Sequence, residues 1–233
     1  HSFGRTVKLA EHSRLAAIGE FASGIAQELR SPLATVSMAL DHFIQLELPG
    51  NSAKRADLAA REATRMGHLL DEMLLYAKPL KMRMEPLNPV EFLREFAESH
   101  QELAESRNQR IQVRESPGAV HIIGDSDRLT QVMLNLTRNA CEAAPEGSTV
   151  SWSLCDNAGR GTVELTIHNN GDPIDPDVLP RLTQPFFTTK QAGTGLGLAI
   201  VRRMVDAHGG DLKICSEQGQ GTRVTVSLPR VEG

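Results

Sequence analysis

Aromatic residues and long apolar runs are scarce in this chain. Phe, Trp and Tyr make up 4% of its 233 residues, so we expect a core built from Leu, Ile, Val, Met and Ala. No apolar stretch approaches the roughly 18 residues that a membrane-spanning helix needs, and no signal peptide is visible. Because the chain starts at His1, we expect a cytoplasmic fragment, and any membrane anchor would lie upstream of it.

Excess positive charge and paired cysteines are also missing. The formal net charge is −4, and no dense Lys/Arg block occurs, so nothing indicates nucleic acid as a partner. The three cysteines, Cys141, Cys155 and Cys215, are an odd number without paired spacing. This usage fits a reducing compartment, where cysteines act as small apolar residues.

Helical periodicity dominates the first third of the chain. Apolar residues recur at steps of three and four over residues 18–43, and again over residues 59–77. The turn signal at residues 48–52 separates them, with Ser52 as the predicted helix cap. Two helices joined in this way pack antiparallel. One hairpin cannot bury both stripes, so we expect two chains to form a four-helix bundle; the alternative is a hairpin lying on the C-terminal domain.

Beyond the hairpin, short strand patterns are mixed with helices. Lys78-Pro79 ends the second helix, and the prolines that follow mark a linker. Strands mixed with helices predict an α+β fold, a sheet with helices on one face. The predicted domains are a hairpin (1–80), a linker (81–88) and a two-layer domain (89–233). The predicted helices are 90–106 and 125–143, the latter capped by Asp125. The predicted strands are 110–114 and 120–123, the pair 150–154 and 162–168 with a turn at 156–159 between them, and the pair 212–216 and 222–228.

The most informative segment is the glycine run within residues 185–201. Gly193, Gly195 and Gly197 alternate with other residues and lead directly into an amphipathic helix. Glycine lets backbone amides approach a ligand closely, and a helix start adds free N–H groups and the positive end of its dipole. This pattern suits a polyphosphate. A dinucleotide fold is a poor alternative, because no strand precedes the glycines and their spacing is not G-x-G-x-x-G.

Two further blocks carry polar side chains suited to a nucleotide. Asn135 and Asn139 lie four residues apart on one face of a predicted helix, with Arg138 beside them. Amide oxygens are suitable ligands for a magnesium ion that also carries phosphate oxygens. Residues 168–174 are a strand running into a glycine turn, where a polar side chain can meet the edge of a base.

In this order, the blocks at 131–140, 168–174, 186–197 and 219–222 resemble the ATP-binding domain of sensor histidine kinases, which are Bergerat-type ATPases. The hairpin resembles the same family's dimerisation and phosphotransfer domain. The resemblance implies a C-terminal two-layer α/β sandwich, ATP and Mg²⁺ as cofactors, a homodimer formed through the hairpin, and a response regulator receiver domain as partner.

The resemblance also implies site residues. Asn169 stands where the family usually has Asp, so we expect adenine binding to be kept but weakened. Pro173 replaces a glycine, and Thr183-Gln184 replaces Phe-Glu ahead of the ATP lid. The implied residues are Asn135 and Asn139 for Mg²⁺ and phosphate with Arg138 nearby, Asn169 and Gly171 for adenine with Thr222 in support, Lys190 in the lid, and Gly193, Gly195, Leu196 and Gly197 around the triphosphate.

The hairpin departs from the family at one decisive position. Residues 21–33 resemble the phosphoacceptor box His-Glu-Leu-Arg-x-Pro-Leu, with Gln27 in place of the histidine. If Ile25 and Leu29 face the core, position 27 projects to solvent, and Ser31 lies one turn further on. The family reaction needs an imidazole nucleophile with Glu28 as its base. A glutamine amide is a poor nucleophile, so we expect no autophosphorylation of this form.

Two explanations of Gln27 are open, an introduced His-to-Gln substitution and a naturally degenerate kinase. The second would make the chain a non-catalytic regulator that heterodimerises with another kinase. The intact flanking residues of the box favour the first.

Glu28 and Ser31 also match the family's phosphatase pattern, an acidic and a polar residue three positions apart. Pro32 is expected to kink the helix. A chaperone-like ATPase of the same superfamily is a third hypothesis, against which the acceptor-like box argues.

Overall fold

The computed structural model describes residues 25–26, 28–46, 50–114, 120–190 and 193–231. These residues fall into two compact units that divide between Pro79 and Leu80. Over the described ranges, no helix has both the length and the apolar character needed to cross a membrane.

The first unit is an antiparallel pair of helices. Helix α1 covers residues 28–45, and α2 spans Asn51–Ala77. Arg30, near the start of α1, forms an ion pair with Asp71, near the end of α2. A small apolar cluster lies at the same end of the pair, which confirms the predicted direction of the hairpin. It consists of Ala26, Leu70 and Leu74, with Leu33 and Met73 packed against it.

Most of the apolar surface of the hairpin is exposed in a single chain. Ile25 and Leu29, which the sequence pattern placed against the core, are 40% and 47% exposed. The small cluster at the end of the pair covers neither side chain, so their burial in a two-chain bundle stays a prediction. The large apolar residues of this unit that are at least 40% exposed are Ile25, Leu29, Val36, Met38, Phe43, Ile44, Leu46, Leu58 and Met66.

The predicted cap of α2 was also wrong. The N-cap of the helix is Gly50, with a φ of 49°, and it provides no side-chain hydrogen bond. Ser52 is the second residue inside the helix. A glycine accepts this positive φ without the strain of a side chain, and Ser52 lies past the N-cap position from which a side chain caps a helix.

The second unit is built on a seven-stranded sheet in the order β1-β3-β7-β5-β4-β2, with β6 also paired to β7. Every pair is antiparallel except β2 with β4. The strands are β1 Glu85–Leu87, β2 Arg110–Arg114, β3 His121–Gly124, β4 Thr149–Asn157, β5 Thr162–Asn169, β6 Asp211–Glu217 and β7 Gly221–Val231.

Helices cover one face of this sheet, which confirms the α+β class. Alternate residues of β5 are buried, as expected for a strand with one covered face. Trp152 of β4 is fully buried, and its Nε1 donates to Thr137 Oγ1 at 3.1 Å, which ties the sheet to a helix. The helices are α3 Pro89–Ser99, α4 Glu102–Glu105, α5 Ser126–Ala143 and α6 Gly197–Ala207.

Several predicted boundaries differ from the structure. Residues 85–87 of the predicted linker form β1, which pairs with β3. The predicted helix over 90–106 is two helices, α3 and α4, separated at His100 and Gln101. The predicted turn at 156–159 lies too early, because β4 continues to Asn157 and the left-handed residue of the turn is Gly161. The Asp125 cap of α5 is confirmed, since its side chain accepts the Arg128 N–H.

The other face of the sheet is polar. A shallow cavity of about 430 Å³ lies there, and its lining includes Arg114, His168 and Arg223. These residues alternate with the buried ones, so the cavity lies across the sheet from the helices. It contains none of the site residues predicted from the sequence.

Candidate functional site

The glycine run ends in a helix whose start is uncapped. Helix α6 begins at Gly197, and its N-cap residue, Leu196, offers no side-chain hydrogen bond. In contrast, α3 and α5 are capped by Asn88 and Asp125. An uncapped helix start presents free N–H donors and the positive end of the helix dipole. Such a start can bind the phosphate groups of a ligand.

Gly193 and Gly195 fold the run against the lid segment, residues 186–190. The Phe186 N–H donates to the Gly195 carbonyl at 3.0 Å. Gly195 has a φ of +70°, and a Cβ there would lie 2.5 Å from the backbone of Phe186. A Cβ on Gly193 would lie 2.5 Å from Thr188 Oγ1. The backbone contact and the positive φ require glycine at Gly195, whereas a side chain at Gly193 would have to displace the Thr188 hydroxyl.

Two asparagines of α5 border the start of α6. Asn135 is buried, and its Nδ2 donates to the Gly197 carbonyl at 3.5 Å. The Nδ2 of Asn139 lies 4.0 Å from the position that a Cβ on Gly197 would take. The structure therefore brings both predicted amides to the uncapped helix. Arg138 is exposed, and it has no hydrogen bond or ion pair with another residue of the described ranges.

Lys190 extends from the lid segment to α5. Its Nζ donates to Asn139 Oδ1 at 3.2 Å and forms an ion pair with Glu142. The amide oxygen predicted to bind magnesium is thus in contact with a positively charged side chain. The sequence prediction missed Glu142, for which the only available signal was its spacing of three residues from Asn139.

The end of β5 holds Asn169 between two glycines. Asn169 is buried, and its Oδ1 accepts the Gly171 N–H at 2.9 Å. A Cβ on Gly171 would lie 2.3 Å from the Ala143 carbonyl oxygen, and one on Gly221 would lie 2.0 Å from the Asn169 carbonyl oxygen. Because both contacts are with backbone atoms, neither glycine accepts a side chain without movement of the backbone. These contacts fix the Asn169 amide beside the end of α5.

Thr222 supports the same corner through a residue that the sequence prediction missed. Thr222 is buried and pairs with Asn169 across β7 and β5. Its hydroxyl lies 2.8 Å from Ser216 Oγ, which also accepts the Ile174 N–H at 2.9 Å. Only the pairing of β6 with β7 brings Ser216 to this place, so no local sequence signal indicated it.

A buried brace joins the start of α5 to the end of α6. His208 Nε2 accepts the Asp125 backbone N–H at 3.0 Å, and His208 Nδ1 donates to the Met204 carbonyl at 2.7 Å. The Asp125 carboxylate accepts the N–H groups of Arg83 and Arg128. Burial alone would raise the pKa of Asp125, but these hydrogen bonds outweigh it and keep the pKa below its ordinary value. The brace fixes the two helices that carry the site.

The predicted residues of the hairpin are only partly described. Glu28 and Ser31 lie in α1, and both are exposed. The helix runs through Pro32. Gln27 lies outside the described residues, so the predicted projection of its side chain stays a prediction.

The second unit therefore gathers donors of the kind that bind a nucleotide. Free helix N–H groups and the Lys190 ammonium suit phosphate, and the Asn169 amide suits the edge of a base. Within the described ranges, His, Cys, Asp and Glu side chains form no cluster of three that could hold a metal. That Asn135 and Asn139 hold Mg²⁺ through their amide oxygens stays a prediction.

Comparison with known proteins gives the same picture for both units. Residues 17–80 match the family described as "His Kinase A (phospho-acceptor) domain". Residues 124–232 match "Histidine kinase-, DNA gyrase B-, and HSP90-like ATPase". The solved mycobacterial sensor histidine kinase MprB is 30% identical, with a TM-score of 0.55, over 65% of this chain and 100% of that one. The chain belongs to the sensor histidine kinases of two-component systems.

Two longer members of the family match nearly all of the chain. The sensor histidine kinase ZraS of Salmonella typhimurium is 34% identical over 93% of this chain and 46% of its own length. The histidine kinase ThkA, solved in complex with the response regulator protein TrrA, is 26% identical with a TM-score of 0.70, over 94% of this chain and 64% of that one. This sensor kinase chain thus spans about half the length of ZraS.

Proposed function

We propose that the chain is the core of an ATP-dependent histidine kinase. Residues 1–80 form its dimerisation and phosphotransfer domain, residues 81–88 join the domains, and residues 89–233 bind Mg²⁺–ATP. The observation that carries the proposal is the convergence of Asn135, Asn139 and the Lys190 ammonium at the uncapped start of α6.

Each part of the nucleotide has a proposed partner. The N–H groups of Gly195 and of the first turn of α6, which begins at Gly197, bind the phosphates together with the Lys190 ammonium, with Arg138 at the edge. Asn135 and Asn139 hold the metal through their amide oxygens. An amide oxygen has two lone pairs, so Asn169 Oδ1 can accept the adenine amino group while it accepts the Gly171 N–H. Thr222 and Ser216 keep Asn169 in place.

The transfer itself depends on the hairpin. Bound Mg²⁺–ATP supplies an activated γ-phosphoryl group. Glu28, exposed on α1, would take the proton of an acceptor at position 27, and a histidine there would be the nucleophile. Gln27 blocks this step. Glu28 and Ser31 would instead remain able to orient water for phosphatase activity.

We also infer the partners of this core. The exposed apolar side chains of α1 and α2 would be buried by a second copy of the hairpin, since a patch of this size is unusual on a monomer. The likeness to ThkA supports a response regulator receiver domain as the phosphate acceptor. These partners follow from the exposed surface and the family, and not from any chain seen bound.

The proposal is tested by restoring the acceptor. The chain and its Gln27→His variant are incubated with γ-labelled ATP and Mg²⁺. We expect label on the variant and none on the Gln27 form. Replacing His42 of α1 by glutamine in the Gln27→His background should leave the labelling intact, which excludes His42 as the acceptor.

Two results would count against this assignment. Label on the Gln27 form would contradict position 27 as the acceptor site. A Gln27→His variant that binds ATP but takes up no label would favour the non-catalytic regulator that heterodimerises with another kinase. The presence of glutamine at position 27 is the observation that keeps this second candidate open.

A further inference from the structure

Glu142 has no place in the function proposed so far, yet it contacts the lid segment. It lies in the last turn of α5, is exposed, and forms an ion pair with Lys190. Lys190 Nζ also donates to Asn139 Oδ1 at 3.2 Å. Residues three apart share one face of a helix, so a single ammonium reaches Asn139 and Glu142 together.

The same ammonium contacts the amide oxygen proposed to face Mg²⁺. Two cations on one amide oxygen would repel each other at short range. Lys190 must therefore leave Asn139 when a metal-bound nucleotide enters. Glu142 opposes that movement, because its ion pair with Lys190 holds the ammonium close to Asn139.

We propose that Glu142 is a positioning residue that holds Lys190 on Asn139 in the nucleotide-free chain and thereby weakens the binding of Mg²⁺–nucleotide. The inference rests on the proposed nucleotide site, but the contact between the lid segment and α5 can be tested in the nucleotide-free chain. Lys190 ties the lid segment to α5 through two contacts. Removing the carboxylate loosens this tie and frees the lysine for phosphate.

The size of the effect follows from exposure. The side chains of Lys190 and Glu142 are 43% and 46% exposed, and exposed ion pairs are weak. We expect Glu142→Gln to tighten the binding of Mg²⁺ with a non-hydrolysable ATP analogue by about 2- to 5-fold. Glu146→Gln is the matched control, because it removes the same charge just beyond α5 from an exposed side chain that forms no ion pair with Lys190.

A double-mutant cycle separates positioning from general electrostatics. In a Lys190→Met background, Glu142 has no ammonium to hold, so Glu142→Gln should no longer change affinity. If Glu142→Gln tightens binding equally with and without Lys190, the loss of a negative charge near the phosphates explains the result and the proposal is overturned. An equal effect of Glu146→Gln on affinity would overturn it as well.

Hydrogen exchange of the nucleotide-free chain supplies the second readout. The Gly193 N–H donates to the Lys190 carbonyl at 3.2 Å, and the Lys190 N–H donates to Thr188 Oγ1 at 3.1 Å. Both amides should exchange about 2- to 5-fold faster in Glu142→Gln, but not in Glu146→Gln. Unchanged exchange would overturn the proposal. If no variant binds nucleotide, the proposed function fails, while the exchange rates still decide whether Glu142 holds the lid segment.

Discussion

Two glycines at the β6–β7 turn allow a controlled test of how Asn169 is held. Gly219 and Gly221 have nearly the same φ, +74° and +73°. A Cβ on Gly219 would meet nothing within 4 Å, whereas one on Gly221 would lie 2.0 Å from the Asn169 carbonyl oxygen. Alanine at either position carries the same left-handed strain, so the difference between the two variants isolates the clash with Asn169.

The expected magnitudes follow from these contacts. Left-handed backbone at a non-glycine residue costs about 1–2 kcal/mol, which is the expected loss for Gly219→Ala. At Gly221 the backbone must also move by about 1 Å, since real Cβ contacts stay beyond 3.0 Å, and overpacking of this kind adds about 1–3 kcal/mol. We therefore expect Gly221→Ala to lower the free energy of unfolding by about 2–5 kcal/mol.

Urea unfolding followed by tryptophan fluorescence measures this difference. Trp152 is the single tryptophan of the chain and is fully buried in the second unit, so its signal reports on that unit. Gly221→Ala should also weaken adenine-nucleotide binding, because it displaces Asn169, while Gly219→Ala should not. Equal losses of stability in the two variants would refute the close approach of β7 to Asn169.

Three further changes test other parts of the structure. Thr137→Val leaves the buried Trp152 Nε1 without a partner and should lower the free energy of unfolding by about 1–3 kcal/mol. Chemical unfolding measures this loss. A loss below about 0.5 kcal/mol, the usual range of surface substitutions, would argue against the hydrogen bond between Trp152 and Thr137. Asp125→Asn should lose about 1 kcal/mol at pH 7, because one amide oxygen replaces the two carboxylate oxygens that accept the Arg83 and Arg128 N–H groups. Because the pKa of Asp125 is lowered in the folded state, its charge stabilises the fold above the unfolded pKa of about 3.9, and the stabilisation is lost as pH falls through the folded pKa. The stability difference between the two proteins should therefore shrink as pH falls through the folded pKa of Asp125, and a difference that stays constant over this range in pH-dependent unfolding would contradict the charge-based reason. Leu58→Glu should raise the dissociation constant of the proposed homodimer at least about tenfold, as measured by light scattering, while Lys54→Glu should not; a dimer unaffected by Leu58→Glu would place the interface elsewhere.

Local patterns predicted the framework of the second unit well. The β4–β5 and β6–β7 pairs follow from alternating sequences separated by turns, and the Asp125 cap follows from its position before an apolar stripe. The three-residue strand β1 could not be predicted, because only its pairing with β3 makes it a strand. The break between α3 and α4 was likewise hidden in a continuous helical pattern.

The residues of the candidate site also fall into those that local sequence patterns predicted and those that only tertiary packing brings together. Asn135, Asn139 and the glycine run were visible because their spacing on a helix and in a loop is itself the signal. Glu142 and Ser216 were not, since each acquires its contact through tertiary packing. Ile25 and Leu29 are exposed in the single chain, and the apolar stripe alone could not decide whether one chain covers them.

The central claim is that the second unit binds a magnesium–adenine nucleotide, and calorimetric titration of the purified chain tests it directly. With Mg²⁺ present, ADP or a non-hydrolysable ATP analogue should bind saturably at one site per chain, and Asn139→Ala should weaken that binding. Absence of measurable heat and of competition with a fluorescent adenine nucleotide, on a chain whose Trp152 signal shows it to be folded, would contradict the account.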